Sequence, residues 1–169
     1  MKAGRLAIRK TDVQVAKNMW VSMGAMYNKK YAENTQKMVQ IVLKHIDAIK
    51  EQLDVSNHVA IRICPIRKKS TAGRFLMESK VVELSCKWED TLEVLSHELV
   101  HAEQDHQGRL AKIGNKPIWN DVVFKNFNPK DYKEYRNLPW EQEAFNRQLE
   151  IADEAVRMVN YYQDGFCGS

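Results

Sequence analysis

Apolar residues in the first third of the chain recur every three to four positions, which is the spacing of an amphipathic helix. One such stripe covers residues 11–30 and predicts a first helix. A more regular stripe covers residues 33–53, predicts a second helix and includes His45. A lone histidine on an apolar helix face is usually a packed side chain, so we interpret His45 as a core or boundary residue rather than a ligand.

The pattern then changes to the alternation that is typical of strands. Residues 58–64 alternate and are rich in β-branched side chains, which predicts a strand. Residues 73–77 and 80–86 predict a second pair of strands, joined by a tight turn at residues 78–79. Pro65 ends the first of these strands or marks a sheet edge.

Helical spacing returns after residue 90 and again near the end of the chain. Asp90 and Glu93 have the spacing of a capping box, which predicts a helix that begins at Thr91 and ends at Gly108. A last helix is predicted from Pro139 to about residue 162. Its apolar stripe consists of Phe145, Leu149, Ala152, Val156 and Val159, with Ala144, Ile151 and Ala155 beside it.

Between these two helices, Gly114-Asn115 predicts a hairpin near the end of the first, and residues 121–137 are expected to be irregular. The whole pattern predicts one α+β domain over residues 1–169. A short, mostly antiparallel sheet would pack on the helix that begins at Thr91, with further helices flanking it at both ends.

The helix that begins at Thr91 carries the candidate chemistry, because residues 97–101 read H-E-x-x-H. Two histidines four residues apart lie on one helix face, so the imidazoles of His97 and His101 can bind one zinc ion. Glu98 then points beside the metal rather than at it, where its carboxylate can accept a proton from a metal-activated water.

A catalytic zinc ion needs a third protein ligand. Extending the apolar stripe of the last helix back by one turn places Glu141 at its core-facing end, so Glu141 is the preferred candidate. Glu143 is the alternative, because a loose first turn could rotate it inward. His106 is close in sequence, but the spacing from His101 does not match the metzincin pattern, and Asp105 lies one turn too far along the helix to bind the same ion.

Other side chains have a possible supporting role. Asp105 and His106 could support the metal ligands by contacting them. The hydroxyl of Tyr132 or Tyr135 could reach the oxyanion of a tetrahedral intermediate, although packing is the simpler interpretation of both tyrosines.

Charge and composition indicate which partners and which cellular compartment to expect. The net charge is +4, and a basic cluster is interpreted as a solvated loop and strand face or, alternatively, as a phosphate or acidic-substrate contact. The cluster consists of Arg62, Arg67, Lys68, Lys69 and Arg74. Three cysteines without a close pair indicate reduced thiols, and neither a membrane span nor a secretory signal is evident, so we expect a cytoplasmic protein.

An H-E-x-x-H helix followed some forty residues later by a helix that opens E-x-E-A resembles the gluzincin metallopeptidases, most of all the small intracellular and phage-borne ImmA/IrrE-type and minimal SprT-like domains. The resemblance implies a zinc cofactor, a peptide or protein substrate and Glu141 as the later glutamate of the family. It also implies that residues 80–86 or their hairpin partner form an edge strand that binds extended peptide. The chain departs from the family pattern at Phe145, where an acidic or amide residue is usual, and the third histidine of SprT-like domains has no well-placed counterpart after His106.

Two other functions stay open from the residues alone. One is a protease recruited to DNA through the basic cluster, and the other is a non-catalytic protein, such as part of a phage particle, that keeps a zinc site as a scaffold.

Overall fold

Two sheets and five helices make up residues 8–165, the part of the chain that the computed structural model describes. In chain order they are β1 (Val13–Ala16), β2 (Met19–Val21), α1 (Met23–Tyr27), α2 (Ala32–Glu51), β3 (Ala60–Cys64), β4 (Gly73–Leu76), β5 (Val81–Ser85), α3 (Thr91–His106), β6 (Leu110–Ile113), β7 (Lys116–Trp119), β8 (Val122–Val123), α4 (Tyr132–Arg136) and α5 (Pro139–Gly165). None of these helices is long and apolar enough to cross a membrane.

The α+β class is confirmed, but the sheet packed on α3 is mixed rather than mostly antiparallel. Its strand order is β1-β2-β3-β5-β4. The central pairs β2–β3 and β3–β5 are parallel, whereas the outer pairs β1–β2 and β4–β5 are antiparallel. Strands β3 and β5 are buried along their whole length, as expected for central parallel strands. The β4–β5 hairpin is confirmed and leaves β4 as the edge strand beside α3.

The prediction of one helix over residues 11–30 is wrong. The segment forms two short strands and the five-residue helix α1, whose first turn is capped by the Ser22 hydroxyl. Asn18 turns the chain between the strands with φ +57°. The apolar residues Met19 and Val21 also fit an alternating pattern, and pairing with β3 selects the strand over the helix.

The basic cluster is divided by the fold, because Arg62 is buried in the sheet face that points away from α3. Its guanidinium binds Asp12 and Glu83, each at 2.7 Å, and Arg74 binds the other oxygen of Glu83. Burial by itself would raise the pKa of Glu83, but the hydrogen bonds from Arg62 and Arg74 outweigh it and lower this pKa. Arg62 is therefore unavailable to a phosphate, whereas residues 67–69 and Arg74 keep the exposed position expected of the cluster.

Helix α3 lies at the centre of the fold, with the sheet on one side and α2 and α5 on the others. It begins at Thr91 and is followed by Gly108 at φ +71°, as predicted. The capping box does not form, because the Asp90 side chain makes no cap hydrogen bond. Every residue from Leu95 to Gln104 is buried, so α3 carries polar groups in the core as well as apolar ones.

The two long flanking helices agree with the sequence in extent but only partly in orientation. Helix α2 follows the predicted stripe, and His45 is buried with Nδ1 2.8 Å from the carbonyl oxygen of Ile41. In α5, however, Leu149 is 57% exposed, so the predicted stripe is displaced by about one residue. The buried face consists of Trp140, Glu141, Ala144, Gln148, Ile151, Ala152 and Ala155.

The segment between α3 and α5 is more ordered than expected. The hairpin β6–β7 turns at residues 114–115 as predicted, with Gly114 at φ +59°. Residues 121–137 contain β8 and α4 rather than irregular chain alone. Phe124, Phe127 and Tyr135, together with Trp119, pack around Trp140 in a second, smaller core that supports the first turn of α5. Cys64 and Cys86 are buried free thiols, and Cys167 lies outside the described residues.

Candidate metal centre

Three side chains from two helices converge on one point. The Nε2 atoms of His97 and His101 are 3.1 Å apart. Glu141 places Oε2 3.2 Å from the His97 nitrogen and Oε1 3.4 Å from the His101 nitrogen. Four donors arranged tetrahedrally at about 2.0–2.1 Å from a metal ion lie about 3.3 Å from one another. The spacing and the chemistry of this buried group therefore fit a single metal ion.

The convergence follows from local geometry and helix packing. His97 and His101 are one turn apart on α3 and share a face. Glu141 lies in the first turn of α5, which packs closely against α3. All three residues are less than 10% exposed, so the charge of the carboxylate is not solvated by bulk water.

Without a metal ion, Glu141 and His101 shift each other's pKa values. Burial by itself would raise the pKa of Glu141, but hydrogen bonds from the imidazoles of His101 and His97 outweigh it and lower this pKa to about 2. Burial would lower the pKa of His101, but the Glu141 carboxylate raises it to about 9. The buried carboxylate thus requires a positive partner, and a divalent cation can take the place of the proton on His101.

Two glutamines that the sequence reasoning did not identify contact the far side of the imidazoles. Gln148 Oε1 lies 2.8 Å from Nδ1 of His97, and Gln104 Oε1 lies 2.9 Å from Nδ1 of His101. Both amides are buried. The only sequence signal for Gln148 was its position seven residues after Glu141, which places it two turns along the same helix face.

Glu98 lies beside the group without belonging to it. Its side chain is buried and interacts electrostatically with His101, His97 and Glu141. Burial raises the pKa of Glu98, while the charges of the imidazoles act in the opposite direction. Glu98 faces the edge strand β4, where the backbone of Phe75 and the α-carbon of Gly73 approach it. The carboxylate is thus held between the histidines and the sheet edge.

Gly73 permits this close approach, and we expect Gly73→Ala to disturb it. An added Cβ would lie 2.7 Å from Val94 Cγ1 and 3.0 Å from Glu98 Cγ, so strand and helix would have to separate. We expect a loss of about 1–3 kcal/mol in the free energy of unfolding, measured by urea denaturation. Gly24→Ala is the control, because its Cβ would meet nothing closer than 3.5 Å. Equal stability of the two variants would contradict the expected contact.

The structure places four of the sequence candidates away from the group. The alternative ligand Glu143 instead forms a bidentate pair with Arg109 at 2.6 and 2.9 Å and also binds Arg147. His106 lies at the exposed end of α3, 3.7 Å from Asp54, and Asp105 pairs with Lys80. Tyr132 is 64% exposed, with its hydroxyl 3.4 Å from Arg136.

Tyr135, by contrast, is near the group. It is partly buried, and burial together with the negative charge of Glu141 raises the pKa of its hydroxyl. Its ring packs on the small core around Trp140, which keeps the phenol on the same side as the first turn of α5. The hydroxyl therefore stays protonated and can donate a hydrogen bond at the metal centre.

No family model, no curated protein and no solved structure matches the chain, so comparisons with known proteins assign it to no family. What the site can do has to be inferred from its own residues. These are three convergent donors, a second carboxylate beside them and two supporting amides, all on the packed pair of helices α3 and α5.

Proposed function

We propose that this protein is a zinc-dependent metallopeptidase that hydrolyses a peptide bond in an extended peptide or protein segment. The observation that carries the proposal is the buried group of His97, His101 and Glu141 with Glu98 directly beside it. Two imidazoles and one carboxylate are a common donor set of catalytic zinc, and they leave a coordination position open. The proposal agrees with the resemblance of the H-E-x-x-H helix to the gluzincins.

The roles of the side chains follow from their positions. Zinc bound by the three donors would polarise the scissile carbonyl and lower the pKa of a water molecule to about 7. Glu98 accepts a proton from the attacking water and passes it to the leaving amine, because its carboxylate lies beside the donors rather than among them. Tyr135 donates a hydrogen bond to the developing oxyanion. Burial of Glu98 favours this role, since it brings the pKa of the carboxyl closer to neutrality.

The substrate would bind along β4. This strand is the sheet edge beside Glu98, and within residues 8–165 no other strand pairs with its outer side. An extended peptide can add to such an edge through main-chain hydrogen bonds. The backbone of Phe75 forms a hydrogen bond with Glu98, so a peptide added to β4 would pass close to that carboxylate.

Two details favour catalysis by zinc over other uses of the same donors. A closed structural zinc site has four protein ligands, whereas the group within the described residues has three. A pair of histidines with one carboxylate also binds iron(II) in oxygenases, but those enzymes have no need of a carboxylate beside the ligands. Glu98 has a direct role only in hydrolysis.

Metal analysis of the purified full chain, combined with a cleavage assay, tests the proposal. We expect about one zinc ion per chain, cleavage of an unfolded protein such as reduced casein, loss of cleavage after chelation and recovery with zinc. His101→Ala should remove both zinc and cleavage, while His106→Ala, on the same helix but outside the group, should keep both. Iron in place of zinc, or a fully zinc-loaded protein that cleaves no peptide, would contradict the proposal.

A further inference from the structure

We propose that two amide relays hold both imidazoles of the metal centre with the proton on Nδ1, which makes Gln148, Glu93 and Gln104 positioning residues for the metal ligands. The proposal rests on the proposed metal centre for its functional meaning. Its structural basis is separate, because it depends only on which atoms in each relay can donate or accept a hydrogen bond.

The first relay runs from Glu93 through Gln148 to His97. Gln148 donates a hydrogen bond from Nε2 to the carboxylate of Glu93, and its Oε1 lies 2.8 Å from Nδ1 of His97. An ionised carboxylate only accepts hydrogen bonds, so the amide nitrogen of Gln148 must face Glu93 and its oxygen must face the ring. Nδ1 then has to carry a proton, so Nε2 is the nitrogen that the neutral ring can offer to a metal.

The second relay reaches His101 from the backbone of α5. Gln104 donates a hydrogen bond from Nε2 to the carbonyl oxygen of Trp140 at 3.0 Å, and its Oε1 lies 2.9 Å from Nδ1 of His101. A carbonyl oxygen also only accepts, so the amide has the same orientation. Trp140 directly precedes Glu141, and the relay therefore connects one ligand to the turn that carries another.

The two relays have the same physical effect. A neutral imidazole can carry its proton on either nitrogen, and only the form with the proton on Nδ1 presents Nε2 to the ion. Each ring is also prevented from rotating, because both glutamines are buried and bonded at both ends. Supporting contacts of this kind typically contribute 10- to 100-fold to metal affinity. Unlike a carboxylate, an amide provides the contact without adding negative charge.

An exchange of the two side chains in the first relay is the sharpest test. Gln148→Leu removes the acceptor at His97, and we expect zinc affinity, measured by competition with a chelator, to fall about 10- to 100-fold. Gln148→Glu places two carboxylates in contact and should also weaken binding. The double variant Glu93→Gln/Gln148→Glu restores a donor facing a carboxylate and an acceptor facing the ring, so its affinity should return to within a few-fold of wild type. Gln142→Leu, on the exposed face of α5, is the control.

Nitrogen NMR of the metal-free protein measures the protonation of the ring nitrogens without requiring zinc. In the neutral rings, we expect Nδ1 of His97 and of His101 to show the shift of a protonated nitrogen and Nε2 that of an unprotonated one. The Nδ1 protons should be protected from solvent exchange, and Gln148→Leu should remove that protection at His97 only. An unprotonated Nδ1 in the wild type, or unchanged zinc affinity in Gln148→Leu, overturns the relay. Protected Nδ1 protons in a protein that binds no zinc would instead support the relay and contradict the proposed function.

Discussion

Glu98→Gln is expected to abolish hydrolysis while leaving the zinc content unchanged. Glutamine has nearly the same shape as glutamate but cannot accept the proton of the attacking water. Loss of a general base typically lowers the rate about 100- to 10,000-fold. Glu98 is not among the three convergent donors, so the metal should stay in place. The measurements are kcat/KM for the substrate protein and the number of zinc ions per chain.

The stability of the Glu98→Gln variant separates catalysis from folding. Glu98 is a buried acid whose pKa is raised by that burial, so the amide removes an unfavourable buried charge. We expect a Tm equal to or above that of the wild type. Glu103→Gln is the matched control on the same helix, because Glu103 binds Arg147 and the backbone N–H of Asp54. It should lower the Tm and keep the activity. Wild-type cleavage by Glu98→Gln would show that the proposed mechanism is wrong.

The parts of the fold that the sequence predicted correctly depend on neighbouring residues. The start and end of α3, the β4–β5 hairpin and the turn at residues 114–115 are set by helix spacing and turn chemistry within a few positions. The same holds for His97 and His101, whose shared face follows from their separation. The buried position of Glu141 was predicted correctly because the first turn of α5 continues the core-facing side of the helix.

The parts that were missed depend on contacts between distant segments. Residues 11–30 satisfy both a helical and an alternating pattern, and only pairing with β3, forty residues away, decides between them. Arg62 reads as a surface cation until Asp12, fifty residues earlier, and Glu83 are placed around it. A hydrophobic pattern holds no information about such partners.

Polar residues in the core explain the remaining error in α5 and the missed part of the site. Gln148 lies on the buried face, and an apolar stripe counts a glutamine as surface, which displaced the predicted face towards Leu149. Gln104 on α3 is also completely buried, although a hydrophobic pattern counts it as surface. The residues that depart from the hydrophobic pattern are those that contact the imidazoles, so the errors of the pattern coincide with the site.

Glu141→Gln and Glu143→Gln form a matched pair that decides which glutamate is the third ligand. The two residues are two positions apart on α5 but point to different partners, the imidazoles for Glu141 and Arg109 for Glu143. Loss of a ligand should weaken zinc binding by more than the roughly 10- to 100-fold that loss of a supporting contact produces. Glu143→Gln should keep zinc and lose no more than about 1 kcal/mol of stability, because its ion pairs are partly exposed.

The increase in Tm on adding zinc distinguishes the two variants most clearly. A ligand at 100 times its Kd stabilises the folded state by about 2.7 kcal/mol. At a zinc concentration that meets this condition for the wild type, Glu143→Gln should show nearly the full increase and Glu141→Gln almost none. Glu141→Gln also removes the carboxylate that raises the pKa of His101, so this pKa should be lower in the metal-free variant than in the metal-free wild type. A zinc-induced increase kept by Glu141→Gln and lost by Glu143→Gln would reverse the assignment and require the first turn of α5 to rotate.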